Sequence, residues 1–141
     1  MKLVVDASVA LKWFFRVQPD EENSDQALQI LKSLDSGKIQ LFQPPHFLSE
    51  VTAVLARKDP DNLAANLADL LALDFQVVSV PQNYAVAASI SIRLQHHLFD
   101  TLYHAVALNE PGAIFVTADL QYFSKAQSMG QIVLLSSLHL L

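Results

Sequence analysis

The chain has 141 residues, of which 52% are hydrophobic and 16% charged, which suits one ordinary domain with a real core and excludes a disordered chain. It contains no cysteine, which excludes a disulfide framework and a zinc–thiolate site. Its net charge of −5 excludes bulk electrostatic attraction as the means of holding nucleic acid. We therefore expect a single domain over residues 1–141.

The first half of the chain predicts two strands and four helices. Short apolar runs indicate the strands. The second helix opens at Pro19-Asp20-Glu21-Glu22, where acids suit a helix amino terminus, and runs to about Ser36, just before Gly37. The predicted strands cover residues 2–6 and 39–42, and the predicted helices cover 8–15, 19–36, 44–58 and 59–72.

The second half predicts three more strands, at 75–80, 113–116 and 132–135, with helices at 81–97, 100–109 and 120–128. Strands separated by helices indicate βαβ units and a parallel sheet covered on both faces. The strands are apolar throughout rather than alternating, as expected for strands buried on both sides. The predicted fold class is α/β, with a five-stranded parallel sheet.

We expect neither an export signal nor a membrane-spanning segment in this sequence. Asp6 interrupts the amino-terminal apolar run Leu3-Val4-Val5, which is too short for a signal peptide. No segment approaches the roughly 20 apolar residues of a membrane span. A cytoplasmic protein is the default expectation, and the lack of cysteine suits that reducing compartment.

Four acidic residues occupy comparable places in this pattern: Asp6, Glu50, Asp100 and Asp119. Asp6 and Asp119 follow apolar strand runs, at the sheet edge where open α/β folds place their ligands. Asp100 opens a helix, where the helix dipole favours an anion, and Glu50 flanks the apolar face of its own helix. If these carboxylates converge, they need a hard divalent cation, which predicts a metal-dependent hydrolase.

Each acid also has an ordinary structural interpretation. Asp100 could be only a helix N-cap, Asp119 only a turn residue, and Glu50 only a solvated helix residue. Asp6 is harder to explain in this way, because a buried strand end offers less water to an ionised carboxylate.

Three other functions on a similar sheet fit the sequence poorly. A haloacid-dehalogenase-like phosphatase needs a second Asp two residues after the first, where this chain has Ser8. A receiver domain needs an acid pair ahead of its strand-end Asp and a late Lys, and neither is obvious. A dinucleotide-binding domain needs a glycine-rich first turn, and the whole chain has 3 glycines.

Four segments resemble the motifs of PIN-domain ribonucleases, in the right order and over essentially the whole chain. The segments are Val4–Trp13, Pro45–Leu55 with its helical glutamate, Phe99–Ala107 and Val116–Asp119. The resemblance is closest to the toxin component of VapBC-type toxin–antitoxin pairs. It implies a three-layer α/β/α sandwich and an endoribonuclease that depends on Mg²⁺ or Mn²⁺, acting as a homodimer and held by a small antitoxin.

The resemblance also assigns roles to residues. It makes Asp6, Glu50, Asp100 and Asp119 the acidic catalytic and metal-binding quartet, supported by the hydroxyls of Ser8 and Thr117. Our hypothesis is that the first and third of the acids hold the main ion while the other two complete its shell, orient water or hold a second ion. Two alternatives stay open: a catalytically inactive RNA- or protein-binding module, and a PIN nuclease outside any toxin–antitoxin system.

Trp13, Phe14 and Phe15 cannot all face inward on one helix. We expect two of them in the core and at least one in a groove that accepts an antitoxin helix. Cationic side chains are candidates for RNA backbone contacts, and these are Lys12, Arg16 and Arg57, then Lys58, Arg93 and Lys125. The five histidines show no shared ligand spacing, and we expect His104, one turn from Asp100, to be neutral and packed.

Overall fold

A computed structural model describes residues 1–15 and 22–140 of the chain. Over these residues five strands alternate with seven α-helices. The strands are β1 (Lys2–Val5), β2 (Gln40–Gln43), β3 (Phe75–Val77), β4 (Ala113–Thr117) and β5 (Ile132–Leu134). The helices are α1 (Ala7–Phe15), α2 (Ser24–Asp35), α3 (Phe47–Lys58), α4 (Leu63–Leu71), α5 (Pro81–Leu94), α6 (Leu98–Asn109) and α7 (Leu120–Ala126).

The five strands form one sheet in the order β3-β2-β1-β4-β5, and every pairing is parallel. The chain moves outward from β1 to β2 and β3, then returns to the other side of β1 with β4. The order therefore reverses between β1 and β4, where Val5 pairs with Val116. In open α/β sheets ligands bind in the crevice beyond such a reversal, at the carboxyl ends of the strands.

The core lies on both sides of the two central strands. Leu3, Val4 and Val5 of β1 are fully buried, as the continuous apolar run predicts for a strand covered on both faces. Helix α6 packs against β1, β2 and β4 and is covered by α5, while α1 packs against α2 and α3. The predicted three-layer α/β/α architecture with a five-stranded parallel sheet is confirmed.

Most predicted elements differ from the structure by a few residues at one end or both, and three helix boundaries differ in ways that affect the site or the described range. Helix α2 begins at Ser24, after Asn23 in the left-handed conformation, and residues 19–21 of the predicted helix start lie outside the described residues. Helix α5 ends at Leu94, because Gln95 adopts a left-handed conformation with φ 51°. Helix α6 then begins at Leu98, so the prediction that Asp100 opens it was wrong, and Asp100 lies within the first turn.

Strand β3 is also shorter than predicted and ends at Val77. Among the described residues, no helix is both long and apolar enough to cross a membrane.

Candidate active site

Asp6 lies directly after β1 and before α1, at the carboxyl edge of the sheet. Its carboxylate accepts hydrogen bonds from the Ser8 hydroxyl, from Thr117 Oγ1 at 2.5 Å and from the Val9 amide at 3.2 Å. Burial nevertheless raises the pKa of Asp6 to about 6, and the charge of Asp100 adds to this increase. An acid at this position is ionised at neutral pH against a penalty that a bound cation would offset.

The backbone before Asp6 is held by the side chain of Gln43, which is fully buried. Gln43 Oε1 accepts a hydrogen bond from the Val5 amide at 2.9 Å, and Nε2 donates to the Val5 carbonyl at 2.8 Å. The last backbone pair between β1 and β2 is Leu3 with Leu41. The side-chain amide of Gln43 extends this hydrogen bonding to Val5, two residues further along β1. It thereby fixes the point from which the Asp6 carboxylate projects.

Thr117 connects Asp6 to Asp119. The Thr117 hydroxyl donates to Asp6 Oδ2, and Thr117 Oγ1 in turn accepts a hydrogen bond from the Asp119 amide at 3.0 Å. Asp119 is also the N-cap of α7, since its Oδ1 accepts from the Tyr122 amide at 3.1 Å. The capping interpretation and the site interpretation of Asp119 are therefore both compatible with its position.

Asp100 and Asp119 form a compact group with His96. One potential ligand atom from each of the three side chains lies within 4.8 Å of the other two. His96 Nε2 is 2.7 Å from Asp100 Oδ2, and the histidine side chain is only 7% exposed. Two carboxylates and an imidazole at this spacing are able to hold a divalent cation.

Glu50 lies in the first turn of α3, where its Oε1 accepts a hydrogen bond from the Tyr103 hydroxyl at 2.7 Å. His46 Nε2 lies 3.2 Å from the same oxygen and 2.7 Å from the Phe99 carbonyl. Burial acts to raise the pKa of Glu50, but the hydrogen bonds from His46 and Tyr103 and the charge of His46 outweigh it and lower that pKa. Glu50 is therefore held as a carboxylate.

Tyr103 links Glu50 to the other acids. Burial raises the pKa of its phenol, and the hydrogen bond to Glu50 raises it further. The charges of Glu50, Asp6 and Asp100 all act in the same direction, which places the phenol within the field of three carboxylates. The structure thus brings Asp6, Asp100 and Asp119 to one edge of the sheet and connects Glu50 to them through Tyr103.

His104 lies outside this group. It is fully buried, with Nδ1 2.8 Å from the Tyr122 hydroxyl and Nε2 2.9 Å from the Gly130 carbonyl. Burial lowers its pKa, so a neutral ring that accepts from Tyr122 and donates to Gly130 fits both contacts. The expectation of a neutral, packed histidine agrees with this placement.

The aromatic residues of α1 divide as the sequence suggests. Trp13 and Phe15 are buried in the core, and Trp13 Nε1 donates to the Ala27 carbonyl at 2.8 Å. Phe14 is half-buried and packs against the same core. A partner groove at this helix stays a prediction. Of the three aromatic side chains only Phe14 is partly exposed, so it is the candidate contact for a partner.

The candidate RNA-contacting cations are placed unevenly. Lys12 is only 9% exposed, which makes it a poor contact for an RNA backbone. Arg57 is exposed in the last turn of α3, and Arg16 lies outside the described residues. Of the others, Lys58 and Arg93 are exposed, and Lys125 is half-buried beside His96.

Four residues of the site are not evident from the sequence pattern: Gln43, His46, His96 and Tyr103. For the two histidines a signal exists, because each precedes an acid of the predicted quartet by four residues, at the start of the helix that carries the acid. Gln43 and Tyr103 offer no such signal, and β2 carries a glutamine at each end.

The fold and the site define an α/β domain with a cluster of acidic side chains at the switch point of a parallel sheet. The PIN domain family matches residues 3–128, and the chain belongs to this family. PIN domains are generally nucleases that use divalent metal ions. A search of curated proteins found no match to the chain.

Proposed function

We propose that this protein is a metal-dependent endoribonuclease that hydrolyses phosphodiester bonds in RNA. The observation that carries the proposal is the convergence of Asp100 and Asp119 with the half-buried Asp6 at the carboxyl edge of the sheet. Family membership supports nuclease chemistry, and the resemblance of the motifs supports RNA as the substrate.

The side chains at this edge fit a divalent metal ion. Carboxylate oxygens are the ligands that Mg²⁺ and Mn²⁺ prefer. Desolvation raises the pKa of Asp6, with a smaller contribution from the charge of Asp100, so a bound cation would favour the ionised form. Asp6 and Asp100 would hold the main ion, and Asp119 and Glu50 would complete its shell, orient water or hold a second ion. When bound, the ion supplies a Lewis acid that neutralises phosphate and lowers the pKa of water.

The surrounding residues hold these acids in place before substrate arrives. Ser8 and Thr117 donate to the two oxygens of Asp6, which limits rotation of the carboxylate. Tyr103 and His46 hold Glu50 ionised, so that it can accept a proton from an attacking water. A site held in this geometry before substrate binds needs little reorganisation energy during the reaction.

From the motif resemblance we further propose that the nuclease is the toxin of a toxin–antitoxin pair, acting in the cytoplasm as a homodimer. The half-buried Phe14 of α1 is the candidate contact for an antitoxin helix. An inactive binding module is the alternative, and measuring metal affinity separates it from the nuclease, because such a module does not depend on a functional metal site.

The direct test incubates labelled RNA with the purified protein and Mg²⁺ or Mn²⁺, with and without chelator. We expect metal-dependent cleavage that Asp100→Asn reduces at least about 100-fold, the order of loss when a catalytic stabilising group is removed. Asp61→Asn, in an exposed turn, is the matched control. Wild-type protein that neither cleaves several RNAs nor binds Mn²⁺ in calorimetry would reject the proposal.

A further inference from the structure

Behind Asp100, a lysine and a histidine form a line of hydrogen bonds. Lys125 Nζ in α7 lies 3.3 Å from His96 Nδ1, and His96 Nε2 lies 2.7 Å from Asp100 Oδ2. Lys125 Nζ also donates to the Gln95 carbonyl at 3.4 Å. Three separate segments therefore meet in this line: α7, the link between α5 and α6, and the first turn of α6.

The chemistry of the lysine fixes the proton on the histidine. An ammonium group has three donors and no acceptor, so Nδ1 of His96 must accept from Lys125. A neutral imidazole carries a single N–H proton. In this arrangement that proton lies on Nε2, the nitrogen that faces Asp100. Asp100 Oδ2 accepts that proton in a hydrogen bond.

The histidine ring has little freedom to adopt another arrangement. Its side chain is 7% exposed and packs edge-on against Tyr122, with ring centroids 4.8 Å apart. The neighbouring ring of His97 lies 6.1 Å away on centroid distance. An enclosed ring keeps its orientation, so its two polar neighbours decide which nitrogen carries the proton.

We propose that Lys125 and His96 are positioning residues for Asp100, and that the lysine keeps the histidine nitrogen out of the metal shell. A ring nitrogen must be unprotonated to bind a metal ion. The His96–Asp100–Asp119 group could otherwise offer nitrogen to Zn²⁺. Held with its proton on Nε2, His96 leaves an all-oxygen site, which favours Mg²⁺ and Mn²⁺. This inference rests on the proposed metal-dependent function.

The position of the proton can be measured directly on the metal-free protein. Nitrogen-15 NMR of the histidine side chains should show His96 protonated on Nε2 in the wild type. Lys125→Met should populate the form protonated on Nδ1, whereas Lys32→Met, an exposed lysine of α2, should leave the spectrum unchanged. A wild-type ring protonated on Nδ1 would overturn the inference.

Metal affinity tests the consequence for Asp100. His96→Phe removes the donor but keeps a ring, and we expect Mn²⁺ affinity to fall about tenfold or more, as for other partners of metal ligands. His96→Gln keeps an N–H donor and should recover part of the loss, which a purely structural role would not predict. His97→Phe, one residue on and exposed, is the control, and circular dichroism checks folding. Unchanged Mn²⁺ affinity in His96→Phe would contradict the inference.

Metal selectivity gives a third measurement. The ratio of Zn²⁺ to Mg²⁺ affinity should rise in Lys125→Met, because Nε2 becomes free to bind metal. In the wild type loaded with Mn²⁺ and labelled with ¹⁵N-histidine, pulsed electron paramagnetic resonance should show no coupling from a directly bound His96. Such a coupling would make His96 a ligand and refute the inference. Expected proton placement and Mn²⁺ binding without any RNA cleavage would refute only the proposed nuclease.

Discussion

The carboxylate of Asp6 is ionised at neutral pH only against the penalty of its burial. Its pKa of about 6 lies above the roughly 3.9 of an unfolded aspartate. Between these values the folded state binds more protons than the unfolded state. The contribution of Asp6 to the stability of the metal-free protein therefore falls as the pH rises from about 4 to 6, and its full penalty applies above that range.

Replacement of Asp6 by asparagine should remove that penalty. We expect Asp6→Asn to stabilise the metal-free protein at pH 8 by on the order of 2 kcal/mol, and to give no such gain near pH 4. Urea denaturation at both pH values measures the effect, with Asp61→Asn as control. An equal change in unfolding free energy at the two pH values would contradict it.

Tyr103 adjusts the protonation of Glu50. Tyr103→Phe removes the hydroxyl that donates to Glu50 Oε1, so the pKa of Glu50 should rise toward its ordinary value. Because the proton acceptor must be ionised, the acidic limb of the cleavage rate, measured at saturating metal so that Asp6 is already ionised, should move to higher pH. The pH–rate profile checks this, and Tyr84→Phe, an exposed tyrosine of α5, should leave the profile in place. A Tyr103→Phe profile superimposable on wild type would rule out this role.

At the scale of elements, the central strands were predictable because a continuous apolar run between helices has few other interpretations. The link between α5 and α6 was not predictable. Gln95 ends α5 in a left-handed conformation where no glycine or proline signals a stop. The sequence pattern therefore extends α5 through His96, and the histidine that contacts Asp100 is hidden inside a predicted helix.

The junction of β1 and β2 depends on one side chain. Gln43→Leu should destabilise the protein by about 2 kcal/mol, since both backbone groups of Val5 lose a buried partner. It should also weaken Mn²⁺ binding, because the strand end that carries Asp6 loses its anchor. Thermal unfolding and calorimetry measure the two effects, and Gln76→Leu, an exposed glutamine of β3, is the control. A Gln43→Leu protein that loses stability but binds Mn²⁺ as tightly as wild type would show that Gln43 does not support the metal site.

At the scale of the whole molecule, the strand order places the candidate site. The reversal between β1 and β4 brings Asp6 and Asp119 together from positions more than a hundred residues apart. Strand-end acids could be predicted because parallel strands share one carboxyl edge. Tyr103 and Gln43 could not, because each contact joins segments far apart in sequence, 53 residues for Tyr103–Glu50 and 38 for Gln43–Val5.

The raised pKa of Asp6 predicts how the stability of the whole molecule responds to metal. Mn²⁺ at about 100 times its dissociation constant should stabilise the folded protein by about 2.7 kcal/mol. At a fixed Mn²⁺ concentration the stabilisation should be larger at pH 8 than at pH 5, because Asp6 with its pKa of about 6 must lose its proton to bind. Thermal shift measurements at the two pH values check this, and a metal effect independent of pH would exclude Asp6 as a ligand.

Asp6 and Asp119 each accept a hydrogen bond from the first turn of the helix that follows, α1 and α7 respectively. A mutation that removes the oxygens of either carboxylate therefore also removes a hydrogen bond to the first turn of a helix. A descendant that abandoned cleavage and kept the fold for binding would still need side-chain oxygens to receive the amides of Val9 and Tyr122. Asparagine, serine and threonine meet that need, whereas alanine leaves both helix starts uncapped. Relatives that keep the fold without the acids should thus carry amides or hydroxyls at these two positions.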